Sequence, residues 1–437
     1  MLDKLFGRKK KTEPDPDIHF GRYSDNNKPV QKVNRWTDAD SLFKEKKYHE
    51  SIDAFFDYIT DDTEQNVVHE RKGSEGRFYF YQGSKVVRGS YDNERLQAEV
   101  TLAKMPQPSV PVMRRLLEMN FNLYYSRFAL QDDRLCMRFD TDIETANPSK
   151  LYYGFKELST KADKQDDLLV QDFTILQTSD TEHITDLPVE EKEVKFRFLQ
   201  QWLKETTELV AGLDADKFSG GIAYLLLALA YRIDYLLVPD GKLLNELEKI
   251  VEIYFIKDER PVPEKNRDML EALKLWQAKT REEVFPCLFK TKHTFAIVMP
   301  QNYKTVADAL YNANQSAAWF RDNNYPQIAL QICEYGIAYS QYSYSLPRPV
   351  TELFQLFMNV IYGNFFNALG FKKVYYNAAN GQFAMEAIAE KIKSIQDNWK
   401  NKFPLFNFRA ENLRYDNLLN FALSFTTELE FLNFETK

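Results

Sequence analysis

The stretch VPVMRRLLEMNFNLYYSRFALQDDRLCMRFD, residues 110–140, carries three structural signals in succession. Pro111 suits the first turn of a helix, where its missing N–H would have no partner anyway. Met113, Leu116 and Leu117 give that helix an apolar stripe, and Asn120 suits its end. The period then changes to two. Tyr124, Phe128 and Leu130 line one side of a strand, QDDR turns it, and Leu135, Met137 and Phe139 return. A short helix that breaks directly into a hairpin belongs to a sheet. It covers an apolar face and delivers the chain to a new edge.

The flanks extend the pattern. RFYFYQ, KVVRGSY and LQAEVTLAKM read as three strands of a meander, with tight turns at 83–84 and 92–94. In the third, Leu96, Ala98, Val100 and Leu102 alternate with polar residues, so one face is buried and the other wet. Prolines in MPQPSVP stop the sheet. Downstream, NPSK opens a long helix with Pro148 in its first position and Leu151, Phe155, Leu158, Ala162 and Leu169 near one face. The predicted unit is a five-stranded antiparallel sheet with one short crossing helix and one long helix. Such a sheet is not stable with its apolar face bare.

Ahead of it, TDADSLFKEKKYHESIDAFFDYI reads as two helices around KEKK, with Asp38 or Asp40 as the first cap. The spacing of Phe43, Tyr48, Ser51 and Phe55 resembles one tetratricopeptide-type helical hairpin. WFRDNNYPQIALQI repeats it through Phe320 and Tyr325, but one unit in each half is no stacked array.

The order SVPVMRRLLEMN, LYYSRFALQDDRLCMRFD, LYYGFKELSTKADKQDDLL resembles the secretion-chaperone fold of type III secretion chaperones and the related YbjN-like bacterial proteins, over about residues 75–175. Ala162 and Asp163 fall where that family carries Ala-Asp in its final helix. The family usually opens with one longer helix, and here a helix pair stands in its place. The resemblance implies a protein that binds protein segments or dimerises through sheet and short helix, without catalysis. It transfers a partner-binding role to Met113 and Leu117 on the short helix, and to Tyr125 and Arg127 on the sheet face opposite Phe128. Packing in the core is the competing role for Met113, Leu117 and Tyr125.

From about 187 onward the chain reads as helices. GGIAYLLLALAYRIDYLLVP is the one candidate membrane span, but Arg232 and Asp234 interrupt it. Two residues apart on a helix, they face different ways and need separate partners, so a buried core helix is the expectation. Two apolar rows stepping by four, Leu353 to Leu369 and Phe354 to Phe366, predict a helix buried on most of its circumference. TKHTFAIVMPQN (291–302) is a strand or buried connector. The resulting division is a flexible tail (1–33), a chaperone-like α+β domain with its helix pair (34–180), and an all-helical domain (187–437) with a seam near 286–303.

At 437 residues the chain exceeds one ordinary core. A net charge of -7 weighs against general nucleic-acid binding. Cys136, Cys287 and Cys333 are far apart, a reduced cytoplasmic pattern and not a disulfide frame or zinc site. The five histidines are scattered, and no cofactor or metal motif occurs. Carboxylate runs such as DLPVEEKEVK and KADKQDD read as solvated helix faces. The start MLDKLFGRKKKTEPDPD lacks the apolar stretch of a signal peptide. The functional expectation is a non-enzymatic cytoplasmic adaptor that holds a protein or peptide partner, with homodimerisation open. The alternatives are an enzyme whose site assembles distant carboxylates in the helical domain, and a scaffold touching membranes through residues 1–11.

Overall fold

The computed structural model describes residues 15–436, an α+β unit followed by a mostly helical one. The membrane-contact reading of residues 1–11 lies outside the described residues. The first unit opens with α1 (Val30–Lys44) and α2 (Tyr48–Ile59), then β1 (Val67–Lys72), β2 (Glu75–Gln82), β3 (Lys85–Tyr91) and β4 (Arg95–Lys104). α3 (Val110–Asn120) leads to β5 (Arg127–Gln131) and β6 (Arg134–Asp142), and α4 (Pro148–Asp172) and the short β7 (Gln177–Thr178) follow. Spatial order is β1-β2-β3-β4-β6-β5, with β7 beside the end of β4. Every pairing is antiparallel. β4 and β5 therefore run parallel with β6 between them, and α3 makes the crossing that this order requires.

Among the described residues the sheet has seven strands, not five. The two extra ones carry little pattern. β1 (VVHERK) buries only Val67, and its charges suit an exposed edge. β7 is two residues long. The helix pair also begins earlier than expected. Pro29, with φ near -68°, starts α1 at Val30, and Asp38 and Asp40 instead pair with Arg35 and Lys44 on its surface.

The two helix pairs share a turn geometry, at positions one residue away from the sequence match. In α1–α2, Lys47 N–H bonds Leu42 O and Lys46 has φ 62°. At the second turn, Tyr325 N–H bonds Phe320 O and Asn324 has φ 65°. Lys47 thus matches Tyr325, whereas the sequence spacing matched Tyr48 to it.

α4 roofs the sheet. Asn147 caps it, accepting the Lys150 N–H at 2.9 Å. Leu151, Phe155, Leu158, Ala162 and Leu169 are all buried, and Phe155 sits among the rings of Phe55, Phe56, Phe78, Phe80 and Phe139. Each fully buried large apolar side chain stabilises by about 1.5–3 kcal/mol. Gly154 lets the helix approach, since a Cβ there would stand 2.7 Å from the Phe139 ring.

The helical unit comprises β8 (Thr185–Asp186), α5 (Val189–Ala211), α6 (Ser219–Leu237), α7 (Gly241–Phe255), α8 (Val262–Gln277), α9 (Arg281–Val284) and β9 (Phe289–Lys290). It continues with α10 (Tyr303–Asp322), α11 (Pro326–Ser343), α12 (Arg348–Ile361), α13 (Gly363–Ala368), the hairpin β10 (Tyr376–Asn377) and β11 (Gln382–Phe383), α14 (Met385–Trp399) and α15 (Leu418–Glu430). α6 is the apolar candidate span, and 89% of its most apolar window is buried by protein. Arg232 meets Glu334 of α11 at 2.6 Å, and Asp234 meets Arg22 at 3.0 Å. The double apolar row at 353–369 is broken at Tyr362, which leaves helical geometry between α12 and α13. Its hydroxyl donates to Glu334, joining the buried Arg232 pair.

Two aromatic plugs join the units. Residues 15–29 are docked against the protein, contrary to the expectation of a flexible tail. Phe20 lies within the helical core, against Phe365, Phe366 and Phe371. Reciprocally, Phe295 from 291–302 is fully buried in the α+β core, edge-on to Phe80 and Tyr152. The Gln82 side chain accepts from Phe295 N–H at 3.0 Å and donates to Phe295 O at 3.2 Å, while β8 pairs with β9. Residues 291–302 are thus a connector buried only at its centre, Thr294–Ala296, with Ile297 and Met299 exposed.

Candidate partner-binding surface

α3 has two apolar faces. Val112 and Leu116 are buried, and Met113 and Met119 pack partly against the α+β core. On the other side Val110 is 81% exposed, Leu117 66% and Phe121 92%. Leu117 and Phe121 are four residues apart, so they share one face. Tyr124, in the turn to β5, is also 92% exposed. Single exposed apolar residues are ordinary, but several on and just after one short helix make this the candidate surface.

The turn bearing these rings is fixed. The Glu157 carboxylate on α4 accepts N–H bonds from Tyr124, Tyr125 and Ser126 at 2.8, 2.9 and 2.8 Å, and the Ser126 hydroxyl at 2.7 Å. Burial alone would raise the Glu157 pKa, but these bonds outweigh it and hold the carboxyl below its ordinary value. Asn120, at the end of α3, accepts the Phe128 N–H at 2.8 Å. The Tyr124 ring therefore stands on backbone held from α4, while the Phe121 N–H bonds Glu118 O at the end of α3.

Beside the rings, between α3, β5 and α4, runs a groove of about 280 Å³ lined by Arg115, Glu118, Met119, Leu123, Phe128 and Lys161, among others. Met119, Leu123 and Phe128 form its apolar part. Glu118 is engaged by Arg114 at 3.2 Å. Among the described residues, Arg115 and Lys161 form no ion pair.

Of the residues singled out from sequence, Leu117 and Tyr125 lie on this surface, and Tyr125 is 40% exposed. Met113 is partly buried beneath it. Tyr125 belongs to the turn before β5, not to a strand, because Glu157 holds its N–H. Arg127 does lie opposite Phe128 on β5, where it pairs with Asp140. It takes no part in the groove. Phe121, Tyr124, Arg115 and Lys161 were not anticipated as a group. The readable signal was the four-residue step from Leu117 to Phe121, continuing the outer stripe past the helix end.

The carboxylates of one of the two runs behave differently from a solvated face. KADKQDD reaches the unit junction: Asp163 accepts Ser84 N–H at 2.6 Å, and Asp166 pairs with the buried Lys85 at 2.9 Å. Gly83, with φ 53°, permits this approach, since a Cβ there would collide with Asp163. Burial and then the neighbouring Asp166 and Asp240 push Asp167 up to about 7. Burial pushes Asp240 up to about 6. In DLPVEEKEVK, Asp186 and Glu190 are exposed as expected, whereas Lys192 and Lys195 are buried, bonded to Phe285 O and Glu191. In the helical unit the buried Asp234, Glu334 and Glu428 are bonded to Arg22, Arg232 and Arg409.

Compared with known proteins, the chain matches no family model and no curated protein.

Proposed function

We propose that this protein is a non-enzymatic, chaperone-like adaptor that holds a segment of a partner protein against α3, the turn after it, and α4. The observation carrying this reading is the pair Phe121 and Tyr124, each 92% exposed, the first capping the end of α3 and the second in the turn that Glu157 holds. Aromatic side chains supply large contact area at low conformational cost, and an ordered backbone reduces the entropy lost on binding. Buried, unpaired cysteines fit a reducing cytoplasm.

Side chains carry the grip more than backbone pairing does. β5 is an edge strand, but Asn120 already occupies the Phe128 N–H. The alternation of an antiparallel strand leaves Leu130 N–H as the next outward donor, too few for an added ladder.

The test is photo-crosslinking in native extract. A photoreactive phenylalanine analogue is placed at 121 and, as a control, at 431, where Phe431 is 63% exposed. One defined adduct at 121, absent at 431 and lost with Tyr124→Ser, is expected. Equal labelling at both positions, or none at 121, overturns the proposal.

A further inference from the structure

The groove beside the exposed rings carries two cations and one carboxylate, a balance opposite in sign to the net charge of the chain. The protein carries -7 overall. Yet the cations at this groove, Arg115 and Lys161, form no ion pair among the described residues, and the one lining carboxylate, Glu118, is engaged by Arg114. Its apolar part comes from Met119, Leu123 and Phe128. At about 280 Å³ it is smaller than the roughly 300–1,000 Å³ that encloses a drug-sized ligand, and suits single side chains.

We infer that the occupant is a peptide segment of another protein with an apolar anchor residue flanked by Asp or Glu: the anchor fills the groove against Met119 and Phe128, and the carboxylates meet Arg115 and Lys161. This rests on the protein-binding reading above and specifies the partner's chemistry. Charge complementarity favours such a segment over a second copy of this chain. A two-fold pairing through this face would set a cationic groove against its like, which costs free energy. Arg115 adds geometric selectivity, since its guanidinium can engage a carboxylate in bidentate fashion.

The experiment is selection of a displayed random peptide library on the full-length chain, followed by affinity measurement with the enriched peptides as probes. Three proteins are compared: wild type, the charge-reversed Arg115→Glu/Lys161→Glu, and Phe121→Ser/Tyr124→Ser. All substituted side chains are exposed, and circular dichroism checks that each variant folds. Wild type is expected to enrich peptides with one aromatic or aliphatic anchor flanked by acidic residues. Charge reversal should weaken those peptides by roughly tenfold or more and shift enrichment to basic flanks. Loss of both rings should abolish enrichment.

Neutral or basic flanks on wild type, with binding still dependent on Phe121 and Tyr124, overturn the acidic-partner inference and leave the protein-binding reading standing. Enrichment indifferent to the rings, or no enrichment at all, overturns both. A concentration-dependent dimer abolished by Phe121→Ser/Tyr124→Ser makes the occupant a second copy and overturns the inference in favour of self-association.

Discussion

Phe295 and Phe121 stand at comparable places, each just beyond the regular structure that would explain it. One is fully buried and the other 92% exposed. The difference lies in what waits for each ring. Phe295 enters a cage of Phe80 and Tyr152, with its backbone held by Gln82. Phe121 ends α3 beside a turn held by Asn120 and Glu157, but no described residue covers its ring. The junction is a finished interface, and the α3 surface is built to similar order and left open.

The comparison breaks most visibly at the junction and its neighbouring ion pair. Phe295→Ala should cost about 3–5 kcal/mol, because a fully buried ring leaves a cavity. Glu334→Gln should cost about as much, roughly 3–5 kcal/mol, since Arg232 would stay buried with its charge uncompensated. Urea unfolding followed by circular dichroism measures both, and a loss below about 1 kcal/mol in either would mean the contact is not closed.

A middle-sized effect belongs to the turn. Glu157→Ala removes a carboxylate acceptor from three backbone N–H groups, and about 1.5–3 kcal/mol should go with it. Its pKa is lowered on folding. The stability it supplies is therefore present above the unfolded value of about 4.5 and lost as pH falls through the lower folded value. Hydrogen exchange at 121–126 should rise sharply in this variant while the junction stays protected.

pH separates the two regions with the opposite sign. Asp167 and Asp240 ionise at higher pH in the folded chain, near 7 and 6, than the ordinary 3.8. Folding there favours bound protons, so stability contributed at the junction falls as pH rises from about 4 to about 7. Melting temperature should drop between about pH 5 and 7.5, and Asp167→Asn should flatten that drop. Smallest of all, Phe121→Ser/Tyr124→Ser should change unfolding free energy by within about 0.5 kcal/mol, as exposed side chains do. A larger loss would place those rings in the core of the fold.

The unit around residues 110–140 was legible because three local signals agree there: a proline start, a helical stripe and a switch to period two. Strands with alternating burial, such as β4, were equally plain. β1 was not, because an edge strand of charged residues has no such alternation. α12 and α13 merged into one helix because the periodicity passes through Tyr362, whereas the break there accompanies a hydroxyl contact with Glu334, distant in sequence. The open surface was half legible. Leu117 and Tyr125 were named, but Phe121 and Tyr124 depend on where α3 ends and which way the turn faces. The acidic run at 161–167 misled because local spacing cannot reveal that Gly83 and Lys85 come to meet it.

Hydrogen exchange on the full chain with a peptide selected on it tests the central claim most directly. Protection confined to residues 110–131 and the facing part of α4 is expected. Protection on the helical unit instead, with 110–131 unchanged, would contradict it.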